Sequence, residues 1–142
     1  MDIKVLDTGE IKAMWGTLQP MFQRVVDKAV HGEYSTDDIY RYAMEGQMQV
    51  LVAFDKETPT IAMVFETVTY PSGKVGCNVL AMAGKNLDAF MHQALPPFIG
   101  WCRQAGYSWI ECSVSPAMER IHHRYGFKTV YRQLRINTGE QE

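Results

Sequence analysis

Two glutamates stand where a carboxylate can be turned into a base. Glu111 lies in the apolar run Trp109-Ile110-Glu111-Cys112, and Glu66 in Phe65-Glu66-Thr67. A carboxyl group withdrawn from water holds its proton more tightly, so its pKa climbs towards neutrality, where a general base works best. The plainer alternative for each is a solvent-facing strand residue. His122, in the pair His122-His123, titrates near neutral pH and can give up a proton. Its alternative is an exposed polar pair on a short helix. His31 and His92 have no partners at ligand spacing, and the cysteines at 77, 102 and 112 have neither CxxC nor zinc-finger spacing, so no metal site is expected. The cysteines stand in apolar stretches and read as buried free thiols, which points to a reducing compartment.

Those side chains need elements to hold them. Ile3 to Asp7 alternates as a short strand. Ile11, Met14, Trp15, Leu18, Phe22, Val25, Val26 and Ala29 then form one apolar stripe of a helix, which Pro20 should kink or split and His31-Gly32 should end. Ser35 opens a second helix, with Asp37 and Asp38 in its first turn. The period changes to two for three strands, Met48 to Asp55, Thr60 to Tyr70 and Lys74 to Ala83, whose short links predict an antiparallel meander. A long helix follows Gly84-Lys85-Asn86, with the stripe Leu87, Phe90, Met91, Ala94, Leu95, Phe98, Trp101, Cys102 and Ala105. The stripe keeps its phase across Pro96-Pro97, so one kinked helix is expected. Ser108 to Val114 reads as a strand, Pro116 to Tyr125 as a short helix behind Ser115, and Phe127 to Ile136 as a final strand. The stripe aromatics Trp15, Phe22, Phe90, Phe98 and Trp101 are expected in the core.

The resulting order, β-αα-βββ-α-β-α-β, predicts an α/β (α+β mixed) fold. Its central sheet is mostly antiparallel with one parallel pair, and helices cover both faces. The chain of 142 residues suits one domain, 1–142, with a core over 3–136 and a loose tail from 137. A net charge of −2 gives no field for nucleic acid. The basic run Arg120 to Arg135 reads as solvated surface. No apolar run has the length of a membrane span and Met1-Asp2-Ile3-Lys4 opens no signal core, so a cytoplasmic location and no membrane partner are expected.

The element order over about residues 3 to 136 resembles that of the Gcn5-related N-acetyltransferase (GNAT) superfamily. One local motif supports it. The family often carries Asn-x-x-Ala-x-x-Leu-Tyr-x-x-x-Gly-Phe after its fifth strand, and Ser115 to Phe127 ends in Tyr125-Gly126-Phe127, with Ile121 at the leucine and His122 at the tyrosine used as general acid. The resemblance implies acetyl transfer from acetyl-CoA to an amine on a small molecule or a protein. It places the thioester beside the strand holding Val79, Leu80, Ala81 and Met82, whose backbone amides would polarise the carbonyl. It places the coenzyme pyrophosphate at the turn Gly84, Lys85, Asn86 and Leu87, where a small anion site with Lys85 as point charge is expected. Glu111, His122 and Glu66 are then the catalytic candidates.

The glycine-rich signature of the family is missing: Asn86 to Met91 contains no glycine. In this the chain also resembles small bacteriophage-encoded GNAT-like proteins, with Trp101 and Met118-Glu119-Arg120-Ile121 ahead of Tyr125-Gly126-Phe127. That resemblance implies an alternative, a catalytically inactive protein with a structural or protein-binding role in a virion, whose partners are virion proteins. Sheets of this kind also pair through their edges, which implies a homodimer.

Overall fold

The computed structural model describes residues 1–139. By contacts the chain divides into two compact units, Met1–Cys112 and the part that begins at Ser113. The expected tail from 137 lies partly outside the described residues.

The first unit is a five-stranded sheet in the order β1-β2-β3-β4-β5, namely β1 (Asp2–Val5), β2 (Gln49–Asp55), β3 (Thr58–Thr69), β4 (Val75–Gly84) and β5 (Trp109–Cys112). β1 to β4 pair antiparallel and β5 joins β4 in parallel. The parallel pair needs a crossover, which the helices between Leu87 and Gln104 supply. Every residue from Val50 to Ala53 and from Ile61 to Phe65 is buried. A strand reads as a continuous apolar run only when both of its faces are covered.

α1 (Thr8–Ala29) and α2 (Thr36–Met44) cover one face: Ile11, Leu18, Phe22 and Ile39 pack with Val50, Val52, Ala62 and Val64. Both helices begin in a reciprocal cap. Asp7 accepts from the Glu10 amide at 2.8 Å and Glu10 accepts from the Asp7 amide at 3.0 Å; Ser35 and Asp38 repeat the device. α1 runs through Pro20 as one helix of 22 residues, so the proline does not split it. Pro20 and Gly16 are both exposed, so the Gly16 carbonyl that loses its partner faces water.

On the other face Phe65 meets Phe98 edge-on at 5.5 Å and Trp101 at 5.8 Å. The expected single helix is two here, α3 (Leu87–Gln93) and α4 (Leu95–Gln104), joined at Ala94. Pro96 and Pro97 sit in the first turn of α4, the one place where their missing N–H groups cost nothing. The stripe stays in phase, with Phe90, Met91, Ala94, Leu95, Phe98 and Cys102 buried. Trp101 departs from expectation: it is 36% exposed, with its ring stacked on Phe98.

The second unit contains α5 (Pro116–His123), capped by Ser115, whose Oγ accepts from the Met118 amide at 3.3 Å. The strand expected over Phe127 to Ile136 is not formed. These residues follow α5 without a ladder partner, and Val130, Tyr131, Leu134 and Ile136 are exposed. Their alternation is that of a strand, but alternation does not supply the neighbour that a strand needs.

Candidate active site

The sheet places both candidate glutamates in one row. Glu66 on β3 pairs with Asn78 on β4, and Asn78 pairs with Glu111 on β5. Residues in register point to the same face. The Asn78 amide donates to Oε2 of Glu66 at 3.1 Å, which confirms it for that pair. Glu66 also lines a hollow of ≈ 340 Å³ with Tyr42, Gln47 and Met48, within the ~300–1,000 Å³ of small-molecule sites.

Glu111 is half-buried, and Oε2 of its carboxylate accepts from the Tyr70 hydroxyl at 2.5 Å. Tyr70 in turn lies 5.5 Å from the Trp109 ring. The floor of this cluster is Gly76, in register with Trp109. A Cβ on Gly76 would come within 2.6 Å of both Oε2 of Glu111 and Nε1 of Trp109, so a bare backbone is what lets carboxylate and indole lie flat on the strand. The neighbouring Ile110 pairs with Cys77, on the opposite face, where Thr67 and Tyr107 share a hydrogen bond of 2.6 Å.

The residues Val79, Leu80, Ala81 and Met82 lie where β4 outruns its parallel partner. The β4–β5 ladder ends at Val79↔Cys112, yet β4 continues to Gly84. Among the described residues no strand pairs with this stretch on its β5 side. On its β3 side the register jumps: Phe65 pairs with Val79 and Val64 with Ala81, leaving Leu80 as a bulge. A bulge bends the strand and re-aims its backbone. Tyr34 secures it by donating its hydroxyl to the Leu80 carbonyl at 2.8 Å. Burial, and then the charge of Glu33, push the Tyr34 phenol up to about 12.

The turn Gly84, Lys85, Asn86 and Leu87 is partly committed to the sheet. A Cβ on Gly84, whose φ is +133°, would lie 2.0 Å from the Thr60 carbonyl oxygen. That close approach to β3 accounts for the glycine by itself. The Lys85 amide also donates to Thr60 O, at 3.1 Å. Asn86 caps α3 from a left-handed conformation, without a side-chain cap bond.

His122 belongs to the second unit. It is buried there, with Nδ1 donating to the Met118 carbonyl at 2.7 Å and its ring edge-on to Phe127 at 5.0 Å. Of the cysteines, Cys77 and Cys102 are buried but Cys112 is only half-buried. The Cys77 and Cys102 thiols share a hydrogen bond that pushes the Cys77 thiol up and the Cys102 thiol down.

Sequence reasoning missed Tyr70, Gly76, Trp109 and Tyr34. The signal for two of them was present: the turn Pro71-Ser72-Gly73 folds Tyr70 back towards Gly76, and a glycine inside a strand marks close approach from above.

A meander with a bulged, overhanging fourth strand and a fifth strand added in parallel after a helical crossover is the GNAT fold. Solved structures with this fold are similar to the chain along almost its whole length. A probable acetyltransferase matches with a TM-score of 0.74 at 12% identity, over 99% of this chain and 100% of its own. The aminoglycoside acetyltransferase meta-AAC0020 from an uncultured soil metagenomic sample, in complex with sisomicin, gives 0.67 at 10% identity, over 99% and 96%. A predicted acetyltransferase of Clostridium acetobutylicum with acetyl-CoA gives 0.66 at 11% identity, over 96% and 95%. No protein-family model matches the sequence, and no curated protein matches it.

Proposed function

We propose that the protein transfers an acyl group from an acyl-coenzyme A, acetyl-CoA in the first instance, to a cationic amine. The observation that carries the reading is the row Glu66, Asn78, Glu111, set beside the stretch of β4 past Val79 that pairs with β3 but has no strand on its β5 side among the described residues.

The chain's own groups divide the work. Backbone amides of Val79 to Met82 are suited to hold an amide-bearing arm as an added strand would be held, and to donate to an acyl oxygen. Glu66 and Glu111 attract an ammonium group, and Glu111 takes its proton. Tyr70 orients the Glu111 carboxylate by the 2.5 Å bond, and Asn78 orients that of Glu66. Acetyl-CoA, when bound, supplies the activated carbonyl. The residues present fit its acyl end better than its diphosphate end. At the turn, the Lys85 amide already serves Thr60 and Gly84 is pressed onto β3, so the Lys85 ammonium and Asn86 with Leu87 are left for anion contact. The fold shared with a predicted acetyltransferase solved with acetyl-CoA and with an aminoglycoside acetyltransferase in complex with sisomicin supports both halves of the reading.

Thermal melting with acetyl-CoA tests it. At a hundred times the dissociation constant a ligand adds about 2.7 kcal/mol to stability. A raised melting temperature, with release of free thiol when a polyamine is added, is expected; no shift at millimolar acetyl-CoA overturns it.

A further inference from the structure

Both glutamate side chains of the row lean over the same strand. Oε2 of Glu66 accepts from the Asn78 amide at 3.1 Å. Oε2 of Glu111 lies 2.6 Å from the point where a Cβ on Gly76 would stand. Gly76 and Asn78 are next-but-one neighbours on β4 and share a face. The two carboxylates are therefore held roughly two residue rises apart, ~7 Å along the strand. Each is fixed by a partner: the Asn78 amide orients one, and the Tyr70 hydroxyl, at 2.5 Å, orients the other. Like charges at a set spacing favour a ligand that answers both at once.

The surroundings suit ammonium groups joined by an apolar linker. The hollow of ≈ 340 Å³ beside Glu66 is lined by Tyr42, Met48 and the uncharged Gln47, and among the described residues that line it none is basic. The Arg41 guanidinium, 5.0 Å over the Tyr42 ring, is already bonded to Asp38 at 2.9 Å. An acceptor with a carboxylate of its own would thus meet Glu66 without a counter-charge. Beside Glu111 the Tyr70 and Trp109 rings lie 5.5 Å apart, and Trp109 is 42% exposed. Aromatic faces and carboxylates both attract cations.

We propose that the row selects a short linear diamine, with one ammonium on Glu66 and the other on Glu111. A saturated chain advances ~1.2 Å per bond, so ~7 Å between nitrogens is roughly five or six bonds, a tetramethylene or pentamethylene linker. As the acceptor, the diamine is anchored at Glu66 and reacts through the nitrogen at Glu111. That nitrogen gives one proton to Glu111 and a second to the departing sulfur, as its bond to the acyl carbon forms and the carbon–sulfur bond breaks. The diamine's part as acceptor rests on the acyl-transfer reading; its binding across the two glutamates does not.

Isothermal titration calorimetry of the full chain tests the binding without the coenzyme. The ligands are the ethylene, tetramethylene, pentamethylene and decamethylene diamines, with pentylamine as the monoamine. The tetramethylene and pentamethylene diamines are expected to bind on the order of 10-fold more tightly than pentylamine or ethylenediamine. Glu66→Gln is expected to bring them down to the pentylamine level and to keep its circular dichroism, since the amide has the shape of the carboxylate. No binding of any diamine, or equal affinities along the series, overturns the proposal. So does a length preference that Glu66→Gln and Glu111→Gln each leave intact. Free-thiol release from acetyl-CoA with the best-bound diamine reads the other half. A length preference without that release leaves the diamine site standing and removes acyl transfer.

Discussion

The hydroxyl of Tyr70 donates to the carboxylate of Glu111 at 2.5 Å, across 41 positions of chain. It ties the β3–β4 turn to β5 and sets which way the carboxylate points. If Glu111 is the base, its neutral isostere separates chemistry from packing. Glu111→Gln is expected to lower the rate of acyl transfer by ~10²–10⁴-fold, while the melting temperature stays close to that of the parent. Steady-state kinetics with a polyamine acceptor, beside a thermal melt, checks both arms. Tyr70→Phe is expected to lose less rate and to cost about 1 kcal/mol in stability, as one hydrogen bond does.

Gly76 gives a sharper test of geometry. In Gly76→Ala the new methyl would occupy space 2.6 Å from both Glu111 Oε2 and Trp109 Nε1. Those tips must move and the backbone need not, so the fold survives and the row is displaced. A rate loss comparable to that of Glu111→Gln, with a stability cost of about 1–3 kcal/mol, is expected from kinetics and urea unfolding.

Tyr34 holds the β4 bulge and makes a pH prediction. Its folded pKa is pushed up to about 12 from the usual 10.0 by burial and then by Glu33. The folded state therefore keeps the proton where the unfolded chain releases it. This contribution is complete below pH 10 and declines as the pH rises towards 12. The group is only part-buried, so solvent screening trims the effect to about 1 kcal/mol. Tyr34→Phe is expected to cost about 1 kcal/mol at neutral pH, through the lost bond to the Leu80 carbonyl, and to remove its share of the alkaline decline. Denaturant unfolding of both proteins at pH 8 and at alkaline pH gives the difference.

The aromatic layer under α4 predicts stability alone. Phe98 is 1% exposed and wedged between Phe65 and Trp101. Phe98→Ala is expected to cost about 3–5 kcal/mol, read from denaturant unfolding. Trp101→Ala, with 36% of the residue already in water, is expected to cost less.

The sequence by itself determined the local elements and most of their order. Periods of two and of near four mark β2 to β4 and α1, α2 and α3–α4, because each element must present an apolar face to the core and the spacing of that face is set by backbone geometry. Ser35 and Ser115 were legible as helix boundaries for the same local reason. What tertiary structure alone decided is pairing. That Glu66 and Glu111 share a row follows from the register of β3, β4 and β5, and a slip of one residue would have put Ile110 there instead. That Gly84 serves β3 and that Tyr34 reaches 46 positions to Leu80 are likewise facts about what lies beside a residue. Hydrophobic pattern carries which face is buried; it does not carry which surface buries it.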